Sequence, residues 1–424
     1  MATDHYQLND YLSQLLDIYP IEQLYDRLEN RRHPAKARLP LSPRCKPALV
    51  ERRWQAVGGD AKVREQLLDT QTRADMEAYR ANIENFIGTV KVPVGIAGPL
   101  RVNGLFAQGD YFLPLATTEA ALVASYNRGA QLITEAGGCA AMLLDEGVSR
   151  APGFAFANLR EAGEFAAWAV SSLNELRQVG ESTTRHGKLK NLRLTVEGNH
   201  VYLHFEFATG DAAGQNMVTI ATEAICAHIL AHAPVKPQYH FIEANLSGDK
   251  KASAQSFLGV RGRKATAEIH LPRELVEKRL HTTPESMVDY WRMSALGGVM
   301  SGTIGVHGHY ANGLAALYIA CGQDAACVAE SAVGVTRFEL TDDGLYAAVT
   351  LPNLIVGSVG GGTGLPSQAA CLSILGLKGP GKARALAEVA AGLTLGGELS
   401  IIGALCAGHF SRAHKVLARD RKDS

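Results

Sequence analysis

Apolar residues recur at helical spacing near the start of the chain, at Leu8, Leu12, Leu15, Leu16 and Ile18, and predict a short amphipathic helix within residues 6–29. The pattern then breaks. Pro34, Pro40, Pro43 and Pro47 interrupt a run of arginines and lysines, so 31–47 is predicted as an extended basic arm. From Pro47 to about Ala81 the spacing is helical again and highly charged. ENFIGTVKVPVGIAGPLRVNG follows, where β-branched residues, prolines and glycines predict short strands and turns. A helix is predicted in TTEAALVASYNRGAQLITEAGG, capped by Thr117 or Thr118 and ended by Gly137-Gly138.

Between Val148 and Ile242 the character changes. A helix over Glu161 to Val179 leads into alternating strands, LKNLRLTVEG and HVYLHFEFATG, and then a helix from Gln215 to Ala231. So short a run of strands and helices predicts a small α/β unit with an antiparallel hairpin, inserted into a larger domain. The remainder is rich in glycine and alanine and reads as several apolar helices. The expected class is therefore α+β, with a large, mainly helical domain. The expected division is 1–80 (helical segment and basic arm), 81–147 (large domain, first part), 148–242 (inserted unit) and 243–424 (large domain, second part). From Val389 to Gly408 the only charge is Glu398, nearly the length of a membrane span. The mid-run glutamate, the small residues and the missing aromatic belt favour a buried helix, so no membrane segment is expected.

Composition narrows the function. A chain of 424 residues with 42 Lys+Arg against 42 Asp+Glu has no bulk attraction for nucleic acid or acidic membranes, and neither is expected as a partner. Seven scattered cysteines without a CxxC read as reduced thiols of a cytoplasmic protein. The first twenty residues lack a basic segment followed by an apolar one, so no signal peptide is expected. GLKGPGKA at 376–383 lacks the hydroxyl of a phosphate loop, and Pro380 removes a backbone donor, so it reads as a turn between helices. No GxGxxG occurs, which excludes a Rossmann fingerprint. His307 and His309 lack metal-ligand companions and read as structural; no metal is expected. The nine Lys/Arg between Arg27 and Arg53 fit either a solvated linker or an anion contact.

Charges set among glycines and apolar residues are costly unless paired or used. Four segments have this character: ATTEAALVASYNRG around Glu119, NLSGDKKASA around Asp249, Lys250 and Lys251, CGQDAACVAES around Asp324, and CAGHFSRAH with His409 and His414. GDAAGQNM and GSVGGGTGLPSQ are glycine-bearing turns that open helices, where backbone N–H groups can meet an anion or cofactor. Singly, each fits a buried ion pair or a tight turn. Together with IENFIGTVKVPVGIAGPL, and in this order from about Asn85 to Arg419, they resemble the 3-hydroxy-3-methylglutaryl-CoA reductases of archaea and eukaryotes.

The resemblance implies a four-electron reduction of a CoA thioester to a primary alcohol, with two hydrides from NADPH. Such a reaction needs a cation at the carbonyl oxygen, a proton donor and an acid for the leaving thiolate. By resemblance these are Lys250, Glu119 and His414, with Asp324 raising the proton affinity of a Glu119 placed at a helix N-terminus. The inserted unit would be ferredoxin-like and hold the cofactor through Asp211, Gly214, Asn216 and Met217, with Thr184 and Arg185 at the 2′-phosphate and Gly360, Gly361 and Gly362 close by. Asn245, Asp249, Lys251 and Asn312 would line the substrate, Asn312 beside the lysine. Active sites would form between subunits of a homodimer or higher homo-oligomer.

Three positions depart from that family. Its SGN is Glu243-Ala244-Asn245 here, and a carboxylate at 243 would repel the substrate carboxylate. Met142 stands where an arginine is expected, and Arg292 lies one residue from an expected lysine. Two readings follow. One is mevalonate formation with Glu243 protonated or turned away; the other is a related reductase for an acyl-CoA or carrier-protein thioester lacking a terminal carboxylate.

Overall fold

The computed structural model describes residues 5–29, 39 and 42–408, which fall into two units, Met1–Thr89 and Val90–Ser424. In the first, the opening amphipathic stretch forms two helices, α1 (His5–Ile18) and α2 (Ile21–Leu28), because Pro20 is extended and starts the chain afresh. The charged stretch after it is also divided, into α3 (Pro47–Val57), α4 (Ala61–Leu67) and α5 (Thr70–Ala74), with the side chains of Asp60 and Asp69 capping the last two. Cys45, Val50, Trp54, Leu68, Met76 and Phe86 form their core.

The second unit starts with the hairpin β1 (Val94–Gly104) and β2 (Gln108–Ala116), then α6 (Leu122–Glu135), β3 (Cys139–Arg150) and β4 (Gly153–Ala155). Next come α7 (Leu159–Ser171), α8 (Leu173–Ser182), the hairpin β5 (Lys188–Glu197) and β6 (His200–Ala208), α9 (Gln215–His232) and β7 (Tyr239–Phe241). The chain continues through α10 (Gln255–Leu258), β8 (Gly262–Pro272), α11 (Arg273–Leu280), α12 (Pro284–Ser301), α13 (Tyr310–Ala320) and α14 (Val328–Ser331). It ends in β9 (Val335–Leu340), β10 (Gly344–Leu354), α15 (Pro366–Ile374) and α16 (Ala383–Cys406).

The sheet order is β7-β4-β6-β3-β8-β10-β9, with β1, β2 and β5 paired off this path. β3 is the hinge of the arrangement. Its residues 140–147 pair with β8, and 148–150 pair with β6. A separate hydrophobic core lies on each side of that change of partner. One, around Phe154, Phe165, Phe205 and Phe207, packs α7, α8 and α9 on the β5–β6 hairpin. The other surrounds α16, whose residues are almost all buried against α6, α13 and the β8–β10 strands.

The chain is thus α+β, but the stretch expected to be mainly helical contributes the long strands β8, β9 and β10. Along β8 the buried faces belong to Ala265, Ala267, Ile269 and Leu271. Two of these four are alanines, which carry no strand preference and hide the alternation. α16 is long and apolar enough to span a membrane by length and composition, yet it is packed inside this unit.

Candidate active site

Lys250 lies in the loop between β7 and α10, where Asn245, Gly248 and Lys250 all adopt left-handed φ values. A lysine in that region is strained. The loop is held by the buried carboxylate of Glu330, whose Oε1 accepts the Lys250 backbone N–H at 3.1 Å. The side chain emerges half-exposed, and Nζ lies 2.9 Å from Oδ2 of Asp324. That hydrogen bond and the adjoining negative charge raise the lysine pKa, keeping an ammonium in place. Burial pushes the Asp324 carboxyl up, but Lys250 and the Ala326 N–H outweigh it and hold the group low. Asp324 is therefore an anion committed to the lysine.

Beneath this pair runs a buried network that local sequence reading misses. Asp249 receives Arg150 Nη1 and Arg261 Nη2, each at 2.6 Å. Arg261 also pairs with Glu330 and donates to Gln215 at 2.7 Å. Burial works to protonate Asp249, and the two guanidinium groups overcome it. Arg150 in VSRAP and Arg261 in GVRGRK were the available signal, but nothing local says that β3 and the residue before β8 bring them together with Gln215 of α9 and Glu330 of α14. Asp249 thus positions its neighbour; Lys251 points outward, its Nζ on the Asp249 carbonyl at 2.8 Å.

Glu243 lies beside this network. Its Oε1 accepts the Asn245 N–H at 2.8 Å, its Oε2 accepts the Ser247 hydroxyl at 2.9 Å, and Arg150 stands 3.5 Å away. The carboxylate is thus turned into its own loop, and Arg150 is shared between it and Asp249. Met142 is half-exposed on β3 opposite Thr266, and Arg292 pairs with Asp289 on the outer face of α12. Neither makes a hydrogen bond or ion pair with the lysine cluster among the described residues, whereas Arg150, further along β3, donates to Asp249.

Glu119 is also placed differently from expectation. Helix α6 begins at Leu122 after Ala121 in a left-handed conformation, without a side-chain cap, and Thr117 Oγ1 accepts from the Glu119 N–H instead. Glu119 therefore sits in the turn before the helix. Asn312 Nδ2 donates to both Glu119 oxygens, at 3.1 and 3.0 Å, which makes Asn312 the partner of Glu119 and not of the lysine. Asp324 for its part pairs with Lys250. Asn312 lies in the first turn of α13, whose start is fixed by buried Glu398, acceptor of the Gly308 and His309 N–H groups at 2.7 and 2.9 Å. His309 stacks on Tyr126 and His307 on Tyr310.

The glycine turns converge on the same region. Gln323 exchanges two hydrogen bonds with the Gly357 backbone, and Gly322 and Gly362 approach so closely that a Cβ on either would collide with the other. Ala212 bridges to Val359. Gly360 and Gly361 adopt left-handed φ with open space above them, a backbone surface onto which a flat ligand could settle. Gly214, left-handed at the start of α9, is closed off by Thr209. Asn216 is exposed in the first turn of α9, and Met217 Sδ accepts the Thr184 hydroxyl at 3.0 Å, beside exposed Arg185. Both Asp211 carboxylate oxygens accept backbone N–H groups, from Gly381 and Ala383, tying the start of α16 to the turn before α9. His409, His414 and most of the basic arm lie outside the described residues.

An ammonium fixed by a carboxylate, next to a loop joined to open glycine turns by the Gly322–Gly362 contact, is equipment for stabilising an oxyanion, while Glu119 and Asn312 lie at the other end of α13. The family model described as hydroxymethylglutaryl-coenzyme A reductase matches residues 49–419. A 3-hydroxy-3-methylglutaryl-coenzyme A reductase of Pyrococcus horikoshii is 46% identical over 352 residues, covering 81% of this chain and 85% of the relative. One from Haloferax volcanii is 42% identical over 375 residues, covering 85% and 93%. The fold is that of the class II enzyme of Streptococcus pneumoniae solved bound to NADPH, with a TM-score of 0.63 at 19% identity, covering 83% of this chain and 99% of that one. The chain belongs to the hydroxymethylglutaryl-coenzyme A reductase family.

Proposed function

We propose that this enzyme reduces 3-hydroxy-3-methylglutaryl-CoA to mevalonate and free CoA, consuming two NADPH and two protons. The observation that carries the reading is the Lys250–Asp324 ion pair, set against the Gly360–Gly362 turn through the Gly322–Gly362 contact. NADPH supplies the hydrides when bound. Lys250 Nζ stabilises the oxyanion formed at the thioester carbonyl and again at the aldehyde, and Asp324 keeps it charged. Glu119, oriented by Asn312, gives the proton to the oxygen, and His414 protonates the departing thiolate.

The unit 148–242 serves as the ferredoxin-like cofactor domain, with Thr184 and Arg185 at the 2′-phosphate, and 81–147 with 243–424 as the substrate domain. Residues 1–80 precede both. Substrate contacts come from Asn245, Lys251 and Arg150. The working form is a homodimer sharing its active sites, in keeping with the bare apolar row on α12. Seven unbridged cysteines, six of them buried, suit a reducing cytoplasm.

The deciding test follows NADPH loss with 3-hydroxy-3-methylglutaryl-CoA while mevalonate and CoA are quantified. Two NADPH per mevalonate is the expected ratio. NADPH binding without turnover would mean that a different thioester is the substrate.

A further inference from the structure

Gln215 opens α9 directly after left-handed Gly214, with exposed Asn216 and then Met217 following it. Its half-buried amide is held at both ends by residues distant in the chain. Oε1 accepts Arg261 Nη2 at 2.7 Å and Arg150 Nη2 at 3.4 Å. A guanidinium only donates, so the carbonyl end of the amide must face these arginines and the nitrogen end must face away from them. That end, Nε2, donates to Cys327 Sγ at 3.3 Å.

Cys327 closes the short turn that Asp324 caps. Its N–H donates to the Asp324 carbonyl at 3.0 Å, and Asp324 Oδ1 accepts the Ala326 N–H at 3.0 Å. The thiol is fully buried; burial, with Glu330 and Asp324 nearby, pushes its pKa up to about 12, so it keeps its hydrogen. With a sulfur lone pair taken by the amide, that hydrogen is turned away from Gln215, and the thiol helps to hold the Asp324 carboxyl low. The link therefore runs from two guanidinium groups, through one neutral amide and one neutral thiol, to the carboxylate that fixes Lys250 Nζ.

The other side of Gln215 borders the glycine turn. Ala212 bridges to Val359, the Ser358 N–H donates to the Asp211 carbonyl at 2.9 Å, and a Cβ at Gly357 would strike the backbone of Ala212 and Ala213. Arg150 adds a second tie to α9, its Nε on Thr219 Oγ1 at 3.0 Å. Only the Gln215 tie can be cut without stranding a buried ion, because Arg150 and Arg261 both keep Asp249.

We propose that Gln215 is a positioning residue for the reduction: through the Cys327 thiol it sets the separation between the Lys250–Asp324 pair and the backbone surface of 211–217 and Gly360–Gly361. The role rests on the reductase reading and adds to it a side chain outside the reacting groups. The amide and thiol spend their hydrogen bonds on the protein, so an error in that separation costs rate and leaves binding almost untouched.

The test compares Gln215→Met, Cys327→Ala, Cys327→Ser and the Gln215→Met/Cys327→Ala double variant with the native full chain. Gln215→Met and Cys327→Ala should each lower kcat on 3-hydroxy-3-methylglutaryl-CoA about tenfold, with KM and the NADPH dissociation constant within about twofold of native. The double variant should be no slower than the slower single one, since both substitutions cut the same link. Cys327→Ser, whose hydroxyl can accept from the amide, should recover most of the loss. A second readout needs no thioester: the emission of bound NADPH, which reports the surroundings of the reduced ring, should shift in Gln215→Met and Cys327→Ala and return in Cys327→Ser. Additive losses, a loss confined to KM, or native kcat and emission in both single variants would overturn the proposal. If the native chain binds NADPH yet leaves this thioester unreduced, the choice of substrate is what fails, and the emission decides the role of Gln215. If Gln215→Met fails to fold, Cys327→Ala and Cys327→Ser decide it.

Discussion

Lys250 is held in two ways, by a left-handed backbone anchored on Glu330 and by a side chain anchored on Asp324. The second anchor sets its charge. Because the Asp324 hydrogen bond raises the lysine pKa, Asp324→Asn should lower it. The basic limb of the pH–kcat profile should then move to lower pH, while activity well below that limb is retained in part. An unmoved limb would show that the lysine charge does not depend on Asp324. Lys250→Ala should cost roughly 10²–10³ in kcat for both the thioester and a supplied aldehyde, since an oxyanion donor is lost from each step. Rates measured separately on the two substrates check this.

Residues of this kind were legible in the sequence as costly charges in apolar, glycine-rich settings. Their partners were not. Arg150 and Arg261 reach Asp249 across 99 and 12 residues of chain. Pairing at the longer range is fixed by strand register, which no local pattern carries.

At the scale of elements, the polar residues inside α16 do the placing. Glu398 looks like a flaw in an apolar helix, yet it accepts two backbone N–H groups ahead of α13 and the Thr336 hydroxyl at 2.7 Å. Burial would push its carboxyl up; the His309 and Gly308 hydrogen bonds outweigh that and hold it low. With the folded pKa depressed, its stabilisation is complete above the ordinary carboxylate range and is lost as pH falls through the folded value. Glu398→Ala removes the acceptor of the part-buried Gly308 and His309 N–H groups and of the buried Thr336 hydroxyl and should cost roughly 1–3 kcal/mol in urea unfolding at neutral pH. Because α13 carries Asn312, kcat should fall as well. A folded variant with native stability would remove the clamp.

The helices and the β5–β6 hairpin were readable because their periodicity is carried by large side chains such as Phe205 and Phe207. The strands β8–β10 were not. Their buried faces rely partly on Ala265, Ala267 and Ala347, and small residues let α16 approach but leave little contrast in the pattern.

At the scale of the molecule, one helix face stands without a partner among the described residues. Along α12, Met293, Leu296, Val299 and Met300 are 75, 67, 76 and 83% exposed, while Met287 and Val288 nearer its start are buried. Positions 293, 296 and 300 fall on one side of the helix, next to a groove lined by Tyr290, Gly297 and His307. Single exposed apolar residues are ordinary, but four on one helix make an apolar patch of the kind that associating surfaces carry. The proposed homodimer covers it with the same surface of a second copy, which is self-complementary under twofold symmetry. Leu296→Asp together with Met300→Asp would then place like charges against each other across the axis, where apolar burial of about 25 cal/mol per Å² had favoured association. The variant should sediment as a monomer at micromolar concentration, keep its far-ultraviolet circular dichroism and lose turnover, since each site draws on both copies. A variant that remains dimeric and active would place the subunit contact elsewhere.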